Sequence, residues 1–168
     1  LLAHVRRGGL VLGLCGGYQM LGKTIEDPQG LEGKPGKVSG LGFLDVATTL
    51  LPDKTLTRMG GIHAPTGAAL EGYEIHLGRT HGTDCDRPFA MLDGRPDGAI
   101  SASGQVMGSY LHGCFASDEF RAKFLTSLGV QASSLRYENT VERTLDELAN
   151  HLEANVDLDL ILSLAREL

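Results

Sequence analysis

Cys15 lies between glycines, at the point where an apolar strand is predicted to turn directly into a helix. Residues 10–14 form a short apolar run typical of a buried parallel strand, and small residues begin the helical pattern at Gly16. A Gly-x-nucleophile-x-Gly turn is a nucleophile elbow, because the tight bend leaves no room for side chains beside the nucleophile. The helix N-terminus would favour the thiolate, and the N–H of Gly16 would face an oxyanion. The pattern predicts covalent catalysis by Cys15.

A cysteine nucleophile needs a base that takes the thiol proton and later protonates the leaving group. Among six histidines, His112 follows the apolar run 106–111 and is predicted at a strand end, where α/β folds collect catalytic groups. His76 is the competitor, because residues 71–80 alternate as a strand that places Glu74 and His76 on one face. The residues alone leave both histidines open as the base.

Composition argues against several other classes of function. The formal net charge of -6 disfavours nucleic acid as the main partner, since phosphate binding needs a basic face. No apolar run is long enough to cross a bilayer and no signal peptide is visible, so we expect a cytoplasmic protein without a membrane partner. Three cysteines without a C-x-x-C pair disfavour disulfides and structural zinc, and we predict no metal site. With 42% apolar residues, the 168 residues suit a single domain, 1–168.

Local patterns predict the elements around these residues. After the helix that begins at Gly16 and runs to about Thr24, residues 27–42 are expected to form a loop, 41–50 a strand and 59–67 a second loop. Residues 97–111 are expected to form two strands around a turn at Gly104. The last third is predicted to be helical, with starts at Ser117, at an Asn139–Glu142 capping box and at Asp157.

Three motifs, at residues 13–22, 72–80 and 108–113, together resemble the glutamine amidotransferase domain of the cobyric acid synthases. They occur in the order of that family, and the helical end of the chain is also similar to it. The resemblance implies a class I, flavodoxin-like α/β fold whose mostly parallel sheet is flanked by helices. Its first strand, and the Gly-rich loop that supplies a second oxyanion N–H, would lie upstream of Leu1. The chain would then be the C-terminal part of a longer protein.

The resemblance decides between the two histidines and implies a reaction. Cys15 would attack the side-chain amide of glutamine with His112 as base, giving a γ-glutamyl thioester and ammonia, and water would release glutamate. Ordinary class I members carry a Glu two residues after the histidine, whereas this chain has Cys114 there, as in the Cys–His subfamily that it resembles. The candidate glutamine-binding residues are Gln19, Tyr73, Glu74, His76 and Arg79.

Two roles are open for the 72–80 strand. Arg79 would hold the α-carboxylate of glutamine, because a guanidinium fork fits a carboxylate, and Glu74 would receive the α-ammonium or orient His112. A backbone carbonyl is the other candidate for orienting His112. Alternatively, Glu74 and His76 form a solvated face or a structural hydrogen-bonded pair.

The resemblance also implies partners outside this chain. The family has an N-terminal domain that uses ATP and Mg²⁺ to activate carboxylates of a corrinoid, adenosylcobyrinic acid a,c-diamide, and ammonia aminates four of them to give cobyric acid. This chain has no G-x-x-x-x-G-K-[ST] loop, so we expect no cofactor in this domain. The alternatives are a glutaminase subunit of a related enzyme, such as the lipid II amidating complex, and a non-catalytic binding domain on the same fold.

Overall fold

Strands dominate the first of the two units into which the chain divides. The computed structural model describes residues 1–131 and 136–165, and the two units are Leu1–Ala132 and Ser133–Leu168. The prediction of one domain over residues 1–168 stays a prediction. The strands of the first unit are β1 (Val11–Leu14), β2 (Thr24–Asp27), β3 (Gly36–Ser39), β4 (Ala47–His63), β5 (Ala69–His81), β6 (Ala90–Leu92), β7 (Arg95–Asp97), β8 (Ala99–Ile100), β9 (Val106–Ser109) and β10 (Leu111–His112). Its helices are α1 (Leu2–Arg6), α2 (Gly16–Leu21) and α3 (Asp118–Ser127).

A small three-stranded sheet carries the elbow. Its order is β1-β9-β8, with β1 parallel to β9 and β8 antiparallel to β9. The predicted pair of strands around Gly104 is confirmed by β8 and β9. The parallel pairing places Leu14 beside Ser109, so the ends of β1 and β9 lie next to each other.

A seven-stranded sheet carries the rest of the site. The order is β10-β5-β4-β2-β3, with β6 beside β4 and β7 beside β6. The predicted α/β class is confirmed, but the sheets are partly antiparallel: only β1–β9 and β2–β4 are parallel pairs among the described residues. The reason is connection length, because only residues 64–68 separate β4 from β5, and a parallel pair needs a crossover of a dozen residues or more.

Two predicted loops contain strands. Helix α2 ends at Leu21 and not near Thr24, and β2 follows it. Strand β3 lies within the predicted loop 27–42 and forms a hairpin with β2, and β4 continues to His63 through the start of the predicted loop 59–67. In the sequence, Gly61 makes the end of β4 look like a turn. In the structure this residue is paired with β5 on one side and with β6 on the other. A Cβ at that position would lie 2.0 Å from the Met91 carbonyl oxygen, so the glycine allows β6 to approach.

Two apolar clusters form the core of the first unit. In one, Tyr18 and Leu21 of α2 pack with Leu44 and Val46 and with residues of β8 and β9. In the other, Phe120 and Phe124 of α3 pack on β4 and β6. Helix α2, which follows Cys15, and strand β10, which carries His112, each contribute residues to one of these clusters.

The second unit consists of α4 (Tyr137–Asn155) and α5 (Leu158–Ala165). Helix α4 begins before Asn139, so the predicted capping box is wrong. The predicted cap of α5 is confirmed, because Asp157 Oδ1 accepts the N–H of Leu160 at 2.9 Å. Among the described residues, no helix has the length and apolar character that crossing a membrane requires.

Candidate active site

The backbone at Cys15 has the sharp bend that the glycine spacing predicts. Its φ is +52° and its ψ is -117°, a conformation that L residues rarely adopt. A Cβ at position 13 would lie 2.6 Å from Leu21 Cδ1 and 2.7 Å from the Gly17 carbonyl oxygen, so only glycine lets α2 fold back on β1. A Cβ at Gly16 would meet nothing within 4 Å, and the N-terminal end of α2 is therefore open beside the thiol.

Parallel pairing brings the second catalytic segment to the elbow. The N–H of Cys15 donates to the Ser109 carbonyl oxygen at 2.9 Å, continuing the β1–β9 ladder. Two residues later the chain enters β10, which pairs with β5 and ends in His112. The sheet edge that ends β9 thus delivers His112 beside Cys15, as expected of an α/β fold.

Cys15 and His112 meet at a single backbone oxygen. The Sγ of Cys15 lies 3.4 Å from the Ile75 carbonyl oxygen, and the Nε2 of His112 lies 3.3 Å from the same atom. A carbonyl only accepts hydrogen bonds, so it can accept from the thiol, and from the imidazole whenever Nε2 carries a proton. Ile75 belongs to the edge of β5 and is a site residue that sequence reasoning missed, because a backbone carbonyl has no side-chain signature.

Gln19 is bonded within the protein. It lies one helical turn after Cys15, and its amide Nε2 donates to the Leu77 carbonyl oxygen at 3.2 Å and to the Tyr110 hydroxyl at 3.3 Å. The side chain therefore ties α2 to β5, two residues beyond the carbonyl that contacts Cys15.

Glu74 and His76 form a pair that is mostly shielded from solvent. The Nε2 of His76 lies 3.0 Å from Glu74 Oε1, and the Nδ1 lies 2.9 Å from the Gly78 carbonyl oxygen. Arg95 contacts the other Glu74 oxygen at 3.4 Å. Neither carboxylate oxygen has a hydrogen bond with His112 among the described contacts. His76 stacks on Tyr110, with ring centroids 3.9 Å apart and planes at 22°.

A cavity of about 440 Å³ opens on the Glu74–His76 side of β5. Arg79 lines it and forms no hydrogen bond or ion pair with the described residues. Cys15 and His112 are absent from its described lining. Tyr73 is half-exposed and paired in register with His112 across β5 and β10. The structure therefore brings Cys15 and His112 together and places Arg79 beside the neighbouring cavity.

Asp97 is a buried carboxyl that the sequence did not single out. It accepts the Ser109 hydroxyl at 2.5 Å and the N–H of Tyr110 at 3.4 Å, and burial raises its pKa. These bonds fix the turn between β9 and β10, which carries His112. No pattern in the sequence pointed to Asp97, because it follows a proline in a loop-like stretch.

Cys114 occupies the position where ordinary class I members carry an acid. Its side chain is buried, and burial raises the pKa of its thiol to about 11. A neutral thiol there supplies no charge to orient His112. Among the described residues, no cluster of three or more His, Cys, Asp or Glu side chains could hold a metal ion.

An elbow cysteine beside a strand-end histidine, on a mixed α/β fold, is consistent with a class I type of glutamine amidotransferase domain. Residues 1–120 match the family described as the CobB/CobQ-like glutamine amidotransferase domain, and the chain belongs to this family.

Several similar proteins are cobyric acid synthases. The cobyric acid synthase of Cereibacter sphaeroides is 63% identical over 99% of this chain. The cobyric acid synthases of Rhodobacter capsulatus and Bradyrhizobium diazoefficiens are 58% and 57% identical over the same share. The matched region makes up 34% of each relative, so this chain spans about a third of their length.

Proposed function

We propose that this chain hydrolyses glutamine and supplies the ammonia to a cobyric acid synthase. The observation that carries the proposal is the placement of Cys15 Sγ and His112 Nε2 against one carbonyl oxygen, that of Ile75. Identity of 63% to a cobyric acid synthase supports the assignment to that synthase, because the match runs through nearly the whole chain.

The first half of the reaction forms a thioester. With His112 protonated on Nδ1, its Nε2 takes the proton of the Cys15 thiol, and the new Nε2–H donates to the Ile75 oxygen. The thiolate attacks the side-chain carbonyl carbon of glutamine, and the oxyanion accepts the N–H of Gly16. The imidazolium then protonates the amide nitrogen, the C–N bond breaks, and ammonia leaves a γ-glutamyl thioester on Cys15.

The second half regenerates the enzyme. His112 takes a proton from water, the resulting hydroxide attacks the thioester carbonyl, and the C–S bond breaks to release glutamate and the thiolate. The Ile75 carbonyl supports both halves, because it accepts the Nε2–H of the imidazolium each time that it forms.

Arg79 is our proposed ligand for the α-carboxylate of glutamine. Its guanidinium lines the cavity beside β5 without a bonded partner among the described residues, which leaves it available for an anion. Tyr73 would border the bound glutamine, because it is half-exposed next to His112. Gln19, Glu74 and His76 are already bonded to protein groups, which favours supporting roles for them.

The synthase reaction would use parts outside this chain. We propose that the remaining length of the relatives binds ATP and Mg²⁺ and activates the carboxylates of adenosylcobyrinic acid a,c-diamide. The ammonia would convert them to amides in the cytoplasm, giving cobyric acid.

A cysteine variant in the full-length enzyme tests the proposal. Cys15→Ser should abolish glutamine-dependent amidation and leave ammonia-dependent amidation intact, because free ammonia bypasses the glutaminase. Cys114→Ala is the matched control, since this buried thiol has no role in the reaction. Diazo-oxo-norleucine, an electrophilic glutamine analogue, should label Cys15, as mass spectrometry would detect. Near-normal glutamine-dependent amidation by Cys15→Ser would refute the proposal.

A further inference from the structure

Two backbone carbonyls at the edge of β5 anchor the start of α2 and the catalytic pair. The Ile75 oxygen contacts Cys15 Sγ at 3.4 Å and His112 Nε2 at 3.3 Å. The Leu77 oxygen accepts the amide of Gln19 at 3.2 Å. The position of this strand edge therefore sets where the thiol and the imidazole lie relative to each other.

His76 braces the same stretch of backbone through its side chain. Its two nitrogens contact the Glu74 carboxylate at 3.0 Å and the Gly78 carbonyl oxygen at 2.9 Å, so it spans residues 74–78. Each ring nitrogen is therefore held by an oxygen atom of the same strand. Gly78 has a φ of +109° and lies where the β4–β5 register shifts between Thr49 and Lys54. His76 thus holds an irregular point of β5, Gly78, which directly follows the two residues whose carbonyls anchor the site, Ile75 and Leu77.

Tyr110 links this brace to α2. The His76 ring stacks on Tyr110, and the Tyr110 hydroxyl contacts Thr80 Oγ1 at 2.6 Å and Gln19 Nε2 at 3.3 Å. Because the two rings are stacked, the position of His76 helps to hold the Tyr110 ring. Movement of His76 would therefore reach Cys15 by two routes, through the β5 edge and through Gln19.

We propose that Glu74 and His76 are positioning residues, which hold the edge of β5 so that Cys15 and His112 share the Ile75 carbonyl. Their side chains are 14% and 12% exposed and bonded to each other, which leaves little capacity to bind the α-groups of a substrate. This inference rests on the proposed glutaminase function for its effect on turnover, but its geometry is tested without glutamine.

The test compares two variants in the full-length enzyme. His76→Phe keeps a ring on Tyr110 and removes both hydrogen bonds, whereas Glu74→Gln keeps an acceptor oxygen and removes the charge. The first readout is the rate of Cys15 alkylation by iodoacetamide between pH 6 and 9 without glutamine, measured by mass spectrometry. We expect His76→Phe to slow alkylation near pH 7 and to change its pH profile, because Cys15 loses its alignment with His112.

The second readout is the kinetics of glutamine hydrolysis. A displacement of about 1 Å at a catalytic group can cost about 100-fold in rate, so we expect kcat to fall by about 10- to 100-fold. The KM for glutamine should stay within about twofold, because the variants remove alignment and not substrate contacts. His81→Phe and Glu71→Gln are the matched controls, since both lie exposed on β5, and both should behave as wild type.

The outcomes separate this inference from the proposed function. Raised KM with unchanged alkylation would overturn it and make Glu74 and His76 substrate ligands. If His76→Phe fails to fold, as judged by circular dichroism, Glu74→Gln decides in the same assays. If the wild type does not hydrolyse glutamine but its Cys15 is alkylated faster than that of His76→Phe, the proposed function is refuted. The positioning role then still stands.

Discussion

A Cβ on Gly72 would lie 2.1 Å from the carbonyl oxygen of His112, well inside van der Waals contact. Gly72 of β5 thus permits the close approach of β10, the two-residue strand that carries the proposed base. The middle motif of the sequence begins with this glycine, and the structure gives the reason: the histidine reaches the Ile75 carbonyl only if its own backbone passes over a position without a side chain.

We predict that Gly72→Ala lowers both the stability of the domain and the activity of the site. The added methyl group has to push β10 away, which should cost about 1–3 kcal/mol of stability as overpacking does elsewhere. The same movement should lower kcat for glutamine hydrolysis by separating His112 from Cys15. Thermal unfolding and steady-state kinetics measure the two effects.

Gly60→Ala is the control for this change. Gly60 lies in β4, and a Cβ there would have its nearest neighbour at 4.0 Å, the flexible Glu71 side chain. The prediction is wrong if Gly72→Ala and Gly60→Ala have the same unfolding temperature and the same kcat.

Cysteine reactivity should separate the three thiols. Burial raises the pKa of Cys85 and raises that of Cys114 to about 11, so both are almost entirely protonated and unreactive at neutral pH. Cys15 is partly exposed at an open helix end. We expect iodoacetamide to modify Cys15 first at pH 7.5 and Cys114 last. Peptide mass spectrometry gives the order, and early modification of Cys114 would contradict the structure.

His63 should make stability depend on pH. It is 1% exposed among three phenylalanine rings, its Nε2 lacks a hydrogen-bond partner in the described chain, and burial lowers its pKa from 6.5 to about 4. Between these two values the unfolded chain binds a proton at this ring and the folded chain does not. The free energy of unfolding should therefore fall as the pH drops from 6.5 to 4, by about 3 kcal/mol in all.

His63→Leu isolates this contribution, because it removes the titration and keeps an apolar side chain. Chemical denaturation at several pH values should give a flatter dependence for His63→Leu than for wild type over the window from pH 6.5 to 4. His81→Leu, at an exposed position of β5, should keep the wild-type slope. Equal slopes for His63→Leu and wild type would show that the buried ring does not titrate as described.

Removal of Arg79 should weaken glutamine binding. Arg79→Ala is expected to raise KM for glutamine by about tenfold or more and to change kcat little, because a carboxylate contact is made equally in the ground and transition states. Arg79→Lys should recover only part of the affinity, since an ammonium lacks the paired donors of a guanidinium. Unchanged KM in Arg79→Ala would leave Arg79 without a role in glutamine binding.

The sequence predicts the catalytic centre better than the sheets around it. The glycine spacing around Cys15 is a local steric requirement, so residues 13–17 alone are enough to predict the elbow. The extension of β4 to His63 is not, because it depends on pairing with β5 and β6, which lie later in the chain. The loop prediction was wrong for residues 59–63 for this reason, because Gly60 and Gly61 resemble a turn until the neighbouring strands are known, and only residues 64–67 lie in the connection.

The supporting residues were hidden for a different reason. The Ile75 contact uses a backbone oxygen, which every residue has, and its role follows from geometry alone. The Glu74–His76 pair was visible as a polar strand face, and the structural hydrogen-bonded pair was one of two open interpretations. Burial and the stacking on Tyr110 could not be predicted, because they depend on a segment more than 30 residues away.

The positive φ of Cys15 puts folding and chemistry in competition at one residue. Asp93, the other described non-glycine residue with positive φ, has a side chain that tolerates this region in a turn, and it is followed by Gly94. Cys15 has no such accommodation, and a sparsely populated conformation of this kind costs about 1–3 kcal/mol. For folding alone, glycine would be the better residue at position 15. The strained backbone at Cys15 therefore lowers the free energy of unfolding of the domain, and the catalytic role proposed for the thiol accounts for this cost.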